Sequence, residues 1–122
     1  MIRLATVFTG IGAIEFALKR LSIKHEIVFA CDNGGITIDY DLANEQSKVF
    51  SLKTIEEKKR YVDDLYSKSK KTNFVKKSFL ANYDIDENRF FQDVRLLDGN
   101  DFRGQVDLFV GGSPCQSFST VG

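Results

Sequence analysis

The sequence predicts an α/β fold built on a doubly wound parallel sheet. A short apolar strand at the amino terminus runs into a Gly-x-Gly loop and then into a helix, which is the order found in such sheets. A second apolar strand ends at Asp32, 20 positions beyond Gly12, and a further apolar run near the carboxyl terminus ends in a glycine turn. Strands that alternate with helices are typical of parallel sheets covered on both faces. At 122 residues the chain suits one small domain.

The first strand, its Gly-x-Gly loop and the helix after it follow the order in which doubly wound sheets bind nucleotide-like ligands, although Gly10-x-Gly12 alone is a weak signal. Residues 2–8 form the strand and residues 9–13 a tight loop, which would bring backbone N–H groups close to a nucleotide-like ligand. Apolar residues then lie on one helical face: Ile14, Ala17, Leu18 and Leu21. Glu15 occupies the position of the third glycine in a dinucleotide fingerprint. A carboxylate there disfavours a pyrophosphate and is compatible with a ligand that is cationic or neutral at that point.

Acidic residues end two further candidate strands. Residues 26–32 form the second strand, and Asp32 lies at about the distance expected of a carboxylate that binds ribose hydroxyls. A helix N-cap or loop aspartate is an equally good interpretation of Asp32 from these residues alone. Residues 90–95 contain a third candidate strand end. There Asp93 could accept a hydrogen bond from the exocyclic amine of a nucleobase.

A charged helical segment separates these two strands. The whole chain balances 17 basic against 17 acidic residues, so no global basic field marks a nucleic-acid binder. Residues 48–77, however, hold ten Lys or Arg and four Asp or Glu. Thr54 and Glu57 form a capping box that predicts a helix through about Lys68. One side of that helix carries Ile55, Val62, Leu65 and Tyr66.

A lysine-rich tail follows this helix. Its basic residues are Lys68, Lys70, Lys71, Lys76 and Lys77. They could contact a phosphate backbone, but a solvated charged face is the favoured interpretation. The segment as a whole is predicted to be an insertion at about residues 48–80.

The last stretch of the chain carries its clearest chemistry. Residues 106–110 predict a buried strand, and Gly111 and Gly112 then allow a sharp turn. Pro114, the only proline, directly precedes Cys115 and stiffens that turn. A thiol held at the carboxyl end of a strand is a candidate catalytic nucleophile. The alternative is a small buried core residue.

Together these motifs resemble the first four motifs of the DNA (cytosine-5) methyltransferases, in the order found in that family. They are residues 8–13, Asp32, Asp93 and residues 111–119. The resemblance covers about residues 1–35 and 88–122. It implies a Rossmann-like, S-adenosylmethionine-dependent methyltransferase fold whose parallel sheet is incomplete in this chain.

The resemblance assigns the cofactor contacts. Phe8, Gly10 and Gly12 would line the pocket for S-adenosylmethionine, with the phenylalanine ring packed on the adenine. Asp32 would bind the ribose hydroxyls, although the family more often has glutamate there. Asp93 would accept a hydrogen bond from the adenine amino group.

The resemblance also assigns the catalytic turn. Cys115 would attack carbon 6 of cytosine, because carbon 5 is too electron-poor to accept the methyl group directly. In double-stranded DNA the cytosine must first be flipped out of the stack. Pro114 would lie on the cofactor side of the turn, and a loop on the substrate side would contain Gln116, Ser117 and Ser119.

Later family motifs are missing from the sequence. In the family a Glu-Asn-Val motif follows Pro-Cys, and a target-recognition domain comes after it. Glu87, Asn88 and Arg89 are not that motif, because they precede Cys115 and end in arginine. We therefore expect residues 1–122 to be the amino-terminal part of the catalytic domain, either truncated or one part of a split enzyme. Without the carboxy-terminal part or a complementary subunit, we expect it to be inactive.

Several other functions stay open. A non-catalytic remnant or a cofactor-binding partner subunit would keep the pocket without forming a cysteine–cytosine adduct. A branch of the family acts on transfer RNA, so DNA within a bacterial restriction-modification system is favoured by frequency alone. A cysteine hydrolase would need His25, the single histidine, which lies in the turn before the second strand. An NAD-binding domain is disfavoured by Glu15.

Cysteine and histidine usage indicates the compartment. The chain has two cysteines and one histidine without a Cys-x-x-Cys motif, so we expect no metal site. It has neither a secretory signal nor an apolar run of membrane-spanning length. We therefore expect a cytoplasmic protein without a disulfide between Cys31 and Cys115.

Overall fold

The computed structural model describes residues 1–7 and 13–111. Four parallel strands form one sheet there: β1 (Ile2–Val7), β2 (His25–Cys31), β3 (Phe90–Phe91) and β4 (Leu108–Gly111). Their order across the sheet is β3, β2, β1, β4. The predicted α/β class and parallel sheet are therefore confirmed.

Helices connect the strands. Helix α1 (Ala13–Arg20) joins β1 to β2. Three helices lie between β2 and β3, namely α2 (Leu42–Phe50), α3 (Ile55–Ser67) and α4 (Phe74–Asn82). Short 3-10 turns at Glu87–Arg89, Val94–Leu96 and Gly99–Phe102 complete the described elements. None of the helices in the described ranges combines the length and apolar character needed to cross a bilayer.

The pairing register brings the carboxyl ends of all four strands to one edge of the sheet. Val7 pairs with both Cys31 and Gly111, and Cys31 pairs in turn with Phe91. At the opposite edge, Ile2 pairs with His25. In parallel sheets, the carboxyl edge is the one that binds ligands.

Aromatic residues pack on both faces of the sheet, since successive side chains in a strand point to opposite faces. On one face the Phe29 ring lies 4.5 Å from that of Phe102, centroid to centroid. On the other face, Phe79 of α4 packs 5.6 Å from Phe90. A separate apolar cluster joins the helical segment to the turn after β3, and its buried members are Ile36, Val49, Val62, Tyr66 and Leu96.

An arginine and an aspartate hold β4 beside β1. Arg3 Nη2 and Nε donate to the two carboxylate oxygens of Asp107 at 2.9 and 3.0 Å, and the Asp107 N–H donates to the Arg3 carbonyl at 2.8 Å. This contact lowers the pKa of Asp107 to about 2. The bidentate geometry fixes the register at the start of β4.

The predicted helix from Thr54 to about Lys68 is confirmed, but half of its capping box is wrong. Thr54 caps α3 by accepting from the Glu57 N–H at 3.1 Å, and Lys68 is the C-cap. The Glu57 carboxylate accepts from the Lys53 N–H at 3.3 Å, whereas a capping box would direct it to the N–H of Thr54.

The predicted burial of the last strand is also wrong for the described part of the chain. β4 lies at the edge of the sheet, and Phe109 is 59% exposed. The physical reason is that β1 is the one strand paired with β4 among the described residues. The apolar run of residues 106–110 correctly indicated a strand but not its position in the sheet.

We expect Phe79→Ala to lower the free energy of unfolding by about 3–5 kcal/mol, because it deletes a buried ring and leaves a cavity. Phe74→Ala on the same helix is the matched control, since Phe74 is 72% exposed and Phe79 only 1%. Urea denaturation followed by circular dichroism measures both variants. Equal losses in the two would contradict the packing of α4 on the sheet.

Candidate functional site

A cavity of about 180 Å³ opens at the carboxyl edge of the sheet. It lies between the ends of β2 and β3, and its walls are residues 31–33 and 92–95. Asp32 and Asp93, which the sequence placed at two strand ends, both line it. Two carboxylates at one cavity can accept hydrogen bonds from a ligand that carries hydroxyl and amine donors.

Asp32 directly follows β2 and is partly exposed. Its Oδ1 accepts from the Gly34 N–H at 2.8 Å, and its own N–H donates to the Phe91 carbonyl at 3.0 Å. It therefore closes a turn at the strand end. The N-cap interpretation does not hold, because the next helix, α2, is capped by Asp41.

Asn73 anchors the start of α4 to this rim. Its Nδ2 donates to the Asp32 carbonyl at 2.8 Å and to Gln92 Oε1 at 3.3 Å, while its Oδ1 caps α4. A Cβ on Gly34, whose φ is +66°, would collide with the Asn73 side chain. Sequence reasoning missed Asn73. An asparagine directly before an apolar helical run is the signal that could have identified it.

Asp93 is buried and hydrogen-bonded on both oxygens. Oδ2 accepts from the Tyr40 hydroxyl at 2.6 Å and from the Tyr66 hydroxyl at 2.9 Å. Oδ1 accepts from the Arg95 N–H at 2.9 Å, and guanidinium nitrogens of Arg95 lie 3.4 Å from the carboxylate. Burial and the nearby carboxylate raise the pKa of both tyrosines. The hydroxyls therefore stay protonated and donate.

Sequence reasoning missed both tyrosines as partners of Asp93. Tyr66 was assigned to the apolar side of the insertion helix, and Tyr40 was not considered. A buried tyrosine hydroxyl needs a hydrogen-bond partner, so the apolar placement of Tyr66 was a usable signal. The partner itself is 27 positions away in sequence.

The remaining predicted site residues lie outside the described ranges. They are Phe8, Gly10, Gly12, Pro114, Cys115, Gln116, Ser117 and Ser119. Their assigned roles stay predictions.

Glu15 is fully buried at the start of α1, beside the end of β1. Its Oε1 accepts from the Thr6 hydroxyl at 2.9 Å. Its Oε2 is buried and has no hydrogen-bond partner in the described part of the chain. Burial raises the pKa of Glu15. A buried acceptor of this kind accommodates a hydrogen-bond donor or a proton.

Two other residues with reactive side chains are poorly placed for chemistry at the cavity. Burial raises the pKa of the Cys31 thiol, and Asp93 and Asp32 raise it further, so the thiolate is disfavoured. His25 begins β2 and therefore lies at the opposite edge of the sheet. Across the described ranges, His, Cys, Asp and Glu form no group of three that could hold a metal ion.

The basic residues of the insertion divide into two sets. Lys58 is largely buried and pairs with Asp101 at 2.8 Å, and Lys76 pairs with Glu87 at 3.0 Å. In the lysine-rich tail, the exposed set is Lys68, Lys70, Lys71 and Lys77. Both interpretations of that second set, a solvated face and a phosphate contact, stay open.

Comparison with known proteins connects these features to a family. The sequence model of the C-5 cytosine-specific DNA methylase family matches residues 55–122. The orphan methyltransferase M.SPRI of Bacillus phage SPR is 31% identical over 121 residues, which are 99% of this chain and 19% of that protein. The orphan methyltransferase M.Rho11sI of Bacillus phage rho11s is 30% identical over 121 residues, or 99% of this chain and 16% of that protein. The chain thus spans less than a fifth of the length of these relatives. No solved structure matches it.

We expect Glu15→Gln to flatten the pH dependence of stability. Burial raises the folded-state pKa of Glu15 above its ordinary value of 4.5, so the folded chain binds this proton more tightly than the unfolded chain. The resulting stabilisation is complete below the unfolded-state value and is lost as the pH rises through the folded-state value. Each tenfold difference in proton affinity corresponds to about 1.4 kcal/mol.

Urea denaturation over a series of pH values measures this slope. Glu56→Gln is the control, because Glu56 is exposed on α3 and should keep the wild-type slope. If Glu15→Gln also kept it, the buried carboxylate would not be the titrating group.

Proposed function

This chain belongs to the C-5 cytosine-specific DNA methylase family, and on that premise we propose that it forms the cofactor-binding, amino-terminal part of an enzyme that methylates carbon 5 of cytosine in DNA. The single observation that supports this most directly is the cavity between Asp32 and Asp93 at the carboxyl edge of the sheet. The family predicts the reaction, and the cavity is where we propose that the cofactor binds.

The residues present fit S-adenosylmethionine. Asp32 would accept hydrogen bonds from the ribose hydroxyls, and Asp93 would accept one from the adenine amino group. Both ligand groups are donors and both protein groups are acceptors, so the donor set matches. Glu15, with its unpartnered Oε2 near the end of β1, suits a donor or cationic group rather than an anion. When bound, S-adenosylmethionine supplies the methyl group.

Cys115 would act on the cytosine. Its thiolate sulfur would form a bond to carbon 6, which makes carbon 5 electron-rich enough to accept the methyl group. After carbon 5 loses its proton, the bond between sulfur and carbon 6 would break and the thiolate would leave. Pro114 would stiffen the turn that carries Cys115, and Gln116, Ser117 and Ser119 would face the substrate.

The partners follow from this assignment. The substrate would be double-stranded DNA with a flipped cytosine, and the carboxy-terminal part or a complementary subunit would supply target recognition. A cytoplasmic location and a place in a bacterial restriction-modification system remain part of the proposal. Sequencing the source locus past codon 122 distinguishes the cases. An in-frame or separate Glu-Asn-Val motif supports an enzyme, and absence of both supports a non-catalytic remnant.

We expect Asp32→Asn to weaken S-adenosylmethionine binding by about tenfold or more, because hydrogen bonds to a charged acceptor are the strong ones. Equilibrium dialysis with the radiolabelled cofactor measures the dissociation constant. Asp39→Asn is the matched control, since Asp39 is exposed in the same connection. Equal affinities for wild type and Asp32→Asn would contradict the ribose assignment.

We expect the purified chain alone to transfer no methyl group to DNA, because the groups that would recognise and protonate the cytosine lie in later motifs of the family. Incorporation of tritium from labelled S-adenosylmethionine into DNA measures transfer. Transfer above background that Cys115→Ala abolishes would show that the isolated chain is active, against this expectation.

A further inference from the structure

We propose that Tyr40 and Tyr66 are positioning residues for the cofactor site. They hold the Asp93 carboxylate by one oxygen and leave the other oxygen for the amino group of the ligand. This inference rests on the proposed function, because it gives the helical segment between β2 and β3 a role in the same site.

The two oxygens of Asp93 have different partners. Oδ2 accepts from two tyrosine hydroxyls, at 2.6 and 2.9 Å, and these are short, strong hydrogen bonds. Oδ1 has one short hydrogen bond, at 2.9 Å from the Arg95 backbone. Its second contact, from Arg95 Nε, is 3.4 Å long. Arg95 Nη2 likewise lies 3.4 Å from Oδ2, so the guanidinium contacts both oxygens weakly. Apart from these weak contacts, Oδ2 has two strong donors and Oδ1 has one.

The weak donor is also the more exposed one. The Arg95 side chain is 53% exposed, and its guanidinium carbon lies 4.9 Å from the centre of the Tyr40 ring. The guanidinium can therefore leave Oδ1, because its cation–π contact with the Tyr40 ring offsets the lost hydrogen bond. A ligand amino group would then take its place at Oδ1.

The strong donors are fixed by packing. Tyr66 is buried in the cluster that includes Val49, Val62 and Leu96, and Tyr40 packs against the same cluster. The hydroxyl positions are therefore set by apolar contacts of α2 and α3. Removal of either hydroxyl should let the carboxylate rotate and should weaken recognition of the amino group specifically.

The test compares Tyr40→Phe and Tyr66→Phe with Tyr61→Phe. Tyr61 lies on the same helix as Tyr66 and packs against the same cluster, but its hydroxyl donates to Glu45. Binding is measured with S-adenosylhomocysteine and with S-inosylhomocysteine, which carries an oxygen in place of the amino group. We expect each of the first two variants to lose about tenfold in affinity for the adenosyl ligand and little for the inosyl ligand. Tyr61→Phe should match the wild type.

Exchange of the Arg95 amide hydrogen gives a second readout that needs no ligand. This N–H donates to Asp93 Oδ1, so it should exchange about tenfold faster in Tyr40→Phe and Tyr66→Phe and at the wild-type rate in Tyr61→Phe. Thermal melting of all three variants separates general loss of fold from loss of positioning.

Three results would overturn the inference. They are an equal loss of affinity for both ligands, an unchanged affinity, and a gain in affinity that would show the hydroxyls competing with the ligand. If the wild type binds neither ligand, the proposed function of this chain fails, and the exchange rate of the Arg95 amide still decides whether the tyrosines hold Asp93.

Discussion

The arrangement of this molecule depends on the hydrogen bonds that the buried carboxylate of Asp93 accepts. The carboxylate accepts hydrogen bonds from the hydroxyl of Tyr40, which precedes α2, and from the hydroxyl of Tyr66 on α3. It also caps the 3-10 turn that follows β3. Without it, Tyr66 would bury an unpaired hydroxyl, at a cost of about 1–3 kcal/mol. Apolar packing alone brings the helical segment near the sheet. The hydrogen bonds from Tyr40 and Tyr66 to Asp93 then fix the position of that segment relative to the sheet.

The parallel register explains why the aspartates of the cavity and the histidine lie at opposite edges of the sheet. Val7, Cys31, Phe91 and Gly111 lie level across the sheet, so the carboxyl ends of the four strands share one edge. His25 is at the other edge, six positions before Cys31 along β2, or roughly 20 Å at the usual rise per residue. This separation keeps His25 away from Cys31, the one cysteine among the described residues.

Some of the charged residues form ion pairs within the described part of the chain. The equal numbers of acids and bases conceal a set of specific pairs, such as Arg3 with Asp107 and Lys58 with Asp101. Glu15 differs from these pairs, since its Oε2 is buried without a partner in the described ranges. An uncompensated buried acceptor costs stability. Its place at the start of α1 is where the proposed function would put a donor or cationic group of the ligand.

The sequence by itself determined the local features: the strands, the start of α3 at Thr54, and the positions of Asp32 and Asp93 at strand ends. These follow from hydrophobic period and capping chemistry, which act over a few residues. It also contains the Pro-Cys motif, from which the role of Cys115 is predicted. Tertiary structure decided the edge position of β4, the partner of Glu57, and the meeting of Tyr40 with Asp93, 53 positions apart. Such contacts depend on how elements pack, and no local pattern encodes them.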